Sequence, residues 1–318
     1  MAQPQATIAI LSIGQMGLGV ASLLKSHNYT VTTNTSGRSA ETSSRATSIG
    51  IQALGTDEDL VESADYILSI VPPRDAVATA ERVIAALEKR RRAPDRVLYY
   101  LDLNAISPET ARHINQLFAD RAKEVHFIDG GIIGGPPTAP STSTPKESAT
   151  TNSPGSDWYR PRIPLSGPHT IPSTHLSSVL NTKHISPTVG TASGLKCCFA
   201  ALSKGFIALA LQSFTTASSL GVLDELKEYM DVYNPNARVK AEKDVVGCTG
   251  KAYRWVEEMR QIGECFASEG GWEQASVFRE IAGVFQGLAD VVEKEGREGM
   301  GDVEGVVGVL GKELHGKE

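Results

Sequence analysis

The feature that most constrains this chain is a strand-length apolar run, Thr7 to Ile13, which ends in Ser12-Ile13-Gly14-Gln15-Met16-Gly17-Leu18-Gly19 and passes at once into a helical pattern. A strand that feeds a glycine turn and then a helix opens a βαβ unit. In such a unit the glycines let the backbone approach a phosphate, and the helix N-terminus supplies N–H donors and positive dipole. The first glycine of the usual G-x-G-x-x-G string is here Ser12, leaving S-x-G-x-x-G. Alone, this string also fits an ordinary strand-to-helix turn; its place after the first strand of an alternating pattern favours phosphate binding.

The alternation continues to about residue 135. Further strands are expected at Tyr29 to Thr33, Ile51 to Ala53, Tyr66 to Val71, Val97 to Leu103 and Val125 to Gly130, with helices at Gly17 to Ser26, Asp59 to Ser63, Asp75 to Lys89 and Pro108 to Asp120. Strands alternating with helices predict a parallel sheet, and the near-continuous apolar runs at 66–71 and 97–103 predict strands buried on both faces. From Pro136 to Asp157 the pattern breaks, since 15 of 22 positions are Pro, Ser or Thr. The stretch 136–162 is expected to be a solvated surface insertion. From Ala192 the chain turns helical: Leu195, Phe199, Leu202, Phe206 and Leu209 recur at three- and four-residue spacing, which predicts one long, mostly buried helix. Similar patterns run through 221–231, 251–268 and 275–293, with a weak one at Val303 to Leu314; Trp255 and Met259 are expected in the core. The fold class is therefore α/β, a doubly wound sheet in residues 1–189 followed by an all-helical domain in 190–318, as suits 318 residues at ~100–200 per domain.

Composition bears on partners. Thirty-one Lys and Arg against 37 Asp and Glu give a net charge of −6, which provides no bulk attraction for nucleic acid or an anionic membrane. Lys196, Ser203, Lys204 and Gln212 interrupt the most apolar helix, so no membrane span is expected. The four cysteines form no C-x-x-C pair and the N-terminus has no basic signal region, which points to a reducing, cytoplasmic setting. Histidine spacing suggests no metal site.

The end of the second strand discriminates between cofactors. Folds selective for NAD place an acid ~20 residues past the glycines for the ribose 2′-OH, whereas NADP sites offer cationic and hydroxyl donors. Here Asn34-Thr35-Ser36-Gly37-Arg38-Ser39 has no acid before Glu41. A guanidinium at Arg38 between Ser36 and Ser39 suits a phosphate dianion, so NADP is preferred to NAD.

Several motifs then occur in register: I-L-S-I-G-Q-M-G at 10–17, G-R-S at 37–39, S-I-V-P-P at 69–73, D-L-N-A-I-S-P at 102–108, D-G-G-I-I-G-G at 129–135, G-T-A-S-G-L-K at 190–196, A-L-S-K-G at 201–205 and R-W-V-E-E-M at 254–259. Over about residues 6–290 the chain resembles the β-hydroxyacid dehydrogenase and 6-phosphogluconate dehydrogenase superfamily. More narrowly it resembles the branch with a phosphogluconate dehydrogenase-like C-terminal domain and mostly unassigned substrates. The resemblance implies a Rossmann-like domain, a helical domain that builds a homodimer, and a cleft between them for a small-molecule substrate. It places Gly14, Met16 and Gly17, with Ser12 and Gln15 of the same turn, at the pyrophosphate. Arg38 and Ser39, with Ser36, fall at the adenosine ribose, and Val71 and Pro72 on the nicotinamide side. Asn104 and Ser107 correspond to the substrate and nicotinamide loop, Gly134 and Gly135 to paired glycines whose N–H groups contact substrate, and Lys196 to the proton donor or acceptor.

A hydroxyl undergoing oxidation must lose a proton as hydride leaves, and an amine takes it when burial lowers its pKa toward working pH. Two positions depart from the family: Ala200 stands where many members carry Asn, and Ile133 where serine is common. Ser203, seven residues after Lys196 and so near the same helix face, is a candidate replacement. The expected reaction is NADP-dependent hydride transfer on a small hydroxy acid or sugar-acid-like substrate. Imine reduction and non-catalytic NADP binding are the alternatives.

Overall fold

The computed structural model describes residues 5–37, 40–89, 96–140, 158–272 and 276–315. Contacts divide the chain into two compact units that meet at Cys197 and Cys198.

In the first unit eight strands form one sheet: β1 (Thr7–Leu11), β2 (Thr30–Asn34), β3 (Gln52–Leu54), β4 (Tyr66–Ser69), β5 (Leu98–Asp102), β6 (Val125–Gly130), β7 (Ile163–Ser166) and β8 (Thr182–Ser186). Their order is β3-β2-β1-β4-β5-β6-β7-β8, parallel except where β7 runs against β6. Residues alternate between faces, as the strand period of two requires. Ile8 and Ile10 pack with α1 (Gln15–Ser26), α2 (Ala40–Ser48) and α6 (Thr174–Leu180), while Ala9 and Leu11 pack with α3 (Asp57–Ser63), α4 (Ala76–Lys89) and α5 (Pro108–Arg121). The chain winds one way from β1 to β3 and the other way from β4 onward, so the crevice at the ends of β1 and β4 is where such sheets receive ligands.

Four neighbouring strands end in one polar row. Ser69, Asp102, Asp129 and Ser166 stand opposite one another in register, and all four side chains are fully buried. Strand and helix limits differ from the sequence expectation by one or two residues, but β7, α6 and β8 were not anticipated at all. Pro164 inside β7 and the seven-residue length of α6 hide these elements from propensity. The insertion is also less detached than expected. Ile133 pairs with Arg162 and Thr138 with Tyr159, so both ends of 136–162 lie on the fold; its central residues, 141–157, fall outside the described residues.

Helix α7 (Thr191–Leu220) starts in the first unit, and its remainder opens the second with α8 (Leu223–Tyr233), α9 (Pro235–Cys248), α10 (Ala252–Ser268), α11 (Ser276–Glu295) and α12 (Val303–His315). The length of α7 agrees with the sequence reading, but its face does not. Leu195, Phe199, Leu202 and Leu209 are exposed, whereas Ala192, Cys197, Ala200, Lys204, Ala208 and Leu211 are buried. Both faces are apolar, so periodicity could not choose between them; the small residues allow the closer packing and form the inner face. In the second unit Trp255 meets Phe285 edge to face at 5.1 Å, and Met259 is fully buried, as expected. Lys204 pairs with Glu258 and lies 5.4 Å from the Trp255 ring centre, which explains why A-L-S-K-G and R-W-V-E-E-M occur in one chain.

Candidate active site

The glycine turn sits at the end of β1. Ser12 has φ of +81°, a left-handed conformation that costs a non-glycine residue about 1–2 kcal/mol, so this position has the backbone shape that a glycine adopts freely. Gly17 cannot be exchanged, because an added Cβ would lie 2.2 Å from the Ser12 carbonyl oxygen. At Gly14, the N-cap of α1, an added Cβ meets nothing within 4 Å. The first turn of α1 bonds from the Leu18 N–H to the Gly14 carbonyl at 2.8 Å, which leaves the N–H groups of Gln15, Met16 and Gly17 without helical acceptors. No acid lies in that turn. Open space, oriented donors and positive dipole fit a pyrophosphate.

At the end of β2, Asn34 is held internally. Its Oδ1 accepts the Ser36 N–H at 2.8 Å, and its Nδ2 donates to Asp57 Oδ1 at 2.7 Å. Sequence reasoning missed Asp57, an acid brought near this strand end by α3. Arg82 neutralises it with Nε and Nη2 donated at 3.1 and 2.9 Å. Ser36 is exposed, and Arg38 and Ser39 lie outside the described residues.

Asn104 joins β4 to β5. Its Oδ1 accepts the Val71 N–H at 2.7 Å, its Nδ2 donates to Ser69 Oγ at 3.0 Å, and its own N–H donates to Asp102 Oδ1 at 3.0 Å. Only 2% of Asn104 is exposed. Ser107 is fully buried and caps α5, accepting the Thr110 N–H at 3.2 Å. The structure therefore brings Val71 and Asn104 into contact and turns the side chains of Asn104 and Ser107 inward, while Pro72 is exposed. Burial pushes the Asp102 carboxyl up to about 7; the Asn104 N–H opposes this and neighbouring Asp129 adds to it. Asp102 Oδ2 has no hydrogen-bond partner among the described residues.

The end of β6 carries the rest. Asp129 anchors the start of α7: Ser166 Oγ and Ser193 Oγ donate to it at 2.6 and 2.5 Å, and the N–H groups of Gly190, Ala192 and Ser193 at 2.9, 3.2 and 3.3 Å. Burial pushes this carboxyl up, and the hydroxyls of Ser166 and Ser193 with the Ser193 and Gly190 N–H groups pull it down. One turn along α7, Lys196 is half-buried and its ammonium donates to the Ile132 carbonyl. Gly131 leaves room for the lysine stem, since a Cβ there would lie 2.8 Å from Lys196 Cβ. The same helix start lies on the 102–108 loop, where Cys197 Sγ approaches the Ile106 carbonyl at 3.5 Å and a Cβ on Gly190 would meet Pro108 at 3.0 Å. Gly134 has φ of +128°, and the Gly135 N–H donates to the Tyr159 hydroxyl at 3.1 Å. Ser203 is half-buried in the part of α7 that belongs to the second unit.

Comparison with known proteins agrees with this geometry. Residues 7–144 match the NAD binding domain of 6-phosphogluconate dehydrogenase, and residues 217–288 match a domain of unknown function, DUF1932. An uncharacterized 28.5 kDa protein of Methanothermus fervidus is 26% identical over 257 residues, 79% of this chain and 89% of that protein. Among solved structures, a conserved protein of unknown function described as similar to 3-hydroxyacid dehydrogenases is 24% identical, with a TM-score of 0.60 over 89% of this chain and 97% of that one. The 3-hydroxyisobutyrate dehydrogenase of Mycobacterium tuberculosis, solved with L-serine, is 18% identical, with a TM-score of 0.59 over 96% and 99%. An imine reductase variant from Myxococcus stipitatus, solved with NAD+, is 16% identical, with a TM-score of 0.50 over 96% and 99%.

The strand order, the glycine turn and the open helix N-terminus define a dinucleotide-binding protein of the Rossmann type. Residues 7–144 are an NAD binding domain of the 6-phosphogluconate dehydrogenase type, and residues 217–288 are a DUF1932 domain. The chain is accordingly a nicotinamide-dependent oxidoreductase of the dehydrogenase or reductase type.

Proposed function

We propose that the chain is an NADP-dependent oxidoreductase acting on a small hydroxy acid or sugar-acid-like substrate, with Lys196 as proton donor and acceptor. The observation that carries this reading is the seat of Lys196, whose stem lies on Gly131 and whose ammonium reaches the Ile132 carbonyl within the D-G-G-I-I-G-G segment. When bound, the nicotinamide supplies a hydride acceptor or donor at its C4. As the neutral amine Lys196 takes the hydroxyl proton during oxidation, and as the ammonium it gives the proton back during reduction. The N–H groups following Gly14 hold the pyrophosphate, and Ser36, Arg38 and Ser39 hold the ribose phosphate. Val71 and Pro72 border the nicotinamide side, and Asn104 and Ser107 act through the backbone they fix. Imine reduction is the second reading. It is favoured by Ala200 and by Ile133, whose N–H and carbonyl both pair with Arg162 at 2.9 and 3.0 Å, so that residue 133 offers substrate no polar group.

Fluorescence titration with NADPH and NADH tests the cofactor. NADPH is expected to bind more tightly, and Arg38→Ala to weaken it roughly 10- to 100-fold, as loss of a charge-assisted contact implies; tighter NADH binding or an unaffected variant defeats the assignment. Hydroxy acids, phosphorylated sugar acids and cyclic imines followed at the nicotinamide absorbance separate the two reactions, and no turnover of any of them defeats both.

We also propose a homodimer built by the helical unit in a reducing, cytoplasmic setting. The reason is the large apolar side chains left exposed on that unit: Leu202 and Leu209, seven residues apart on α7, are 81% and 62% exposed. Sedimentation is expected to give a dimer, and Leu202→Glu with Leu209→Glu to give a monomer; a monomeric native chain refutes the proposal.

A further inference from the structure

The family resemblance gives the Gly135 N–H to the substrate, yet in the structure that N–H donates to Tyr159 at 3.1 Å. Tyr159 arrives from the far end of the insertion, and its position is built rather than incidental. Thr138 and Tyr159 exchange two backbone hydrogen bonds at 3.1 and 3.0 Å, and Ile133 and Arg162 exchange two more at 2.9 and 3.0 Å. The chain opposite is shaped to receive the ring. Gly134 has φ of +128°, and a Cβ there would lie 3.0 Å from the Tyr159 hydroxyl and 3.2 Å from Pro161 Cα.

A phenol that accepts an N–H still has its own proton to give. No described residue accepts the proton of Tyr159, and a hydroxyl polarised by an incoming N–H is the better donor for it. Lys196 reaches the carbonyl of Ile132 while Tyr159 takes the N–H of Gly135. The two groups thus hold opposite ends of one four-residue segment, whose three steps span ~10 Å at most. Both polar groups are seated on the one segment taken as the substrate wall.

We propose that Tyr159 is a substrate-binding residue, whose hydroxyl donates to the carboxylate of a small hydroxy acid and passes on the polarity of the Gly135 N–H. It supplies a polar contact in place of those absent at Ala200 and Ile133. The proposal rests on the functional reading above, because it takes the 129–135 segment as the substrate wall.

The test is calorimetric titration of the full chain, saturated with NADP+, with 3-hydroxypropionate and with tartronate. The native protein is expected to bind at least one of these, and Tyr159→Phe to bind it 10-fold or more weakly with unchanged Tm and NADP+ affinity. Equal or tighter binding by Tyr159→Phe overturns the proposal, since the phenol would then only block Gly135; so does failure of the native protein to bind either acid. A second measurement uses tyrosine labelled with ¹³C at Cζ. The resonance that disappears in Tyr159→Phe is expected to shift in the native protein on addition of 3-hydroxypropionate, and a fixed resonance under saturating acid overturns the assignment. Neither measurement needs turnover. Failure of the functional reading shows separately, as no activity across the substrate panel or as full activity without Lys196.

Discussion

Lys196→Ala is expected to lower kcat/KM by ~10²- to 10⁴-fold, the range for removal of a positioned general acid or base, while leaving NADPH affinity and Tm near native values. The side chain is half-buried, its stem fills the space opened by Gly131, and its ammonium already rests on the Ile132 carbonyl. Truncation therefore removes the proton carrier and leaves the glycine turn at Gly14 untouched. Lys196→Arg separates charge from proton transfer. A guanidinium keeps the positive charge but does not deprotonate near neutral pH, so this variant is expected to stay within about tenfold of Lys196→Ala. Initial rates at the nicotinamide absorbance measure both variants, and native activity in Lys196→Ala would remove the lysine from the mechanism.

Asp129→Ala is expected to cost about 3–5 kcal/mol of folding stability, because it strands four donors in a buried setting, the Ala192 N–H keeping its bond to Ser166 Oγ at 2.9 Å. The hydroxyls of Ser166 and Ser193 and the N–H groups of Gly190, Ala192 and Ser193 all converge on this one carboxyl. At roughly 2–4 °C per kcal/mol, the loss is readily seen in a melting curve. Asp129→Asn is the informative companion. Its amide oxygen can take the place of Oδ2, where four of the five donors point, and its NH2 can turn to Ser193 Oγ, so more than half of the stability is expected to return. A Tm for Asp129→Ala within a degree or two of native would show that the anchor at the start of α7 is not needed.

The parts of the molecule legible in the sequence are those encoded by neighbours. β1, the turn at Gly14 and α1 follow from one another over a short span, as do β4, β5 and the helices after them. Lys196 is legible only through the G-T-A-S-G-L-K motif and the resemblance it carries, because a lysine that interrupts an apolar helix ordinarily snorkels to the surface, and Lys204 interrupts the same helix equally. What was not legible depends on residues far apart. Asp129 reads as a polar end to β6 until α7 brings three N–H groups to it from more than sixty positions away. Asp57 reads as the first turn of α3 until it bonds to Asn34. The strand pattern ended with β6 because β7 contains a proline and β8 is polar at Thr182, Lys183 and His184. On α7 the sequence offered two apolar faces, and the choice fell on the one with the larger side chains, whereas packing used the smaller.

The paired strand ends at the base of the insertion carry one more consequence. Ile133 with Arg162 and Thr138 with Tyr159 pair the chain on either side of residues 139–158, so the cost of added length between Thr138 and Tyr159 is one of loop closure. Each doubling of a flexible loop adds only about 0.6 kcal/mol. The protein thus has a graft port: peptide added between Thr138 and Tyr159 is flanked by two residues that pair with each other, one of which meets Gly135. A fluorophore or affinity tag placed there would report on the glycine wall without changing a residue that forms it.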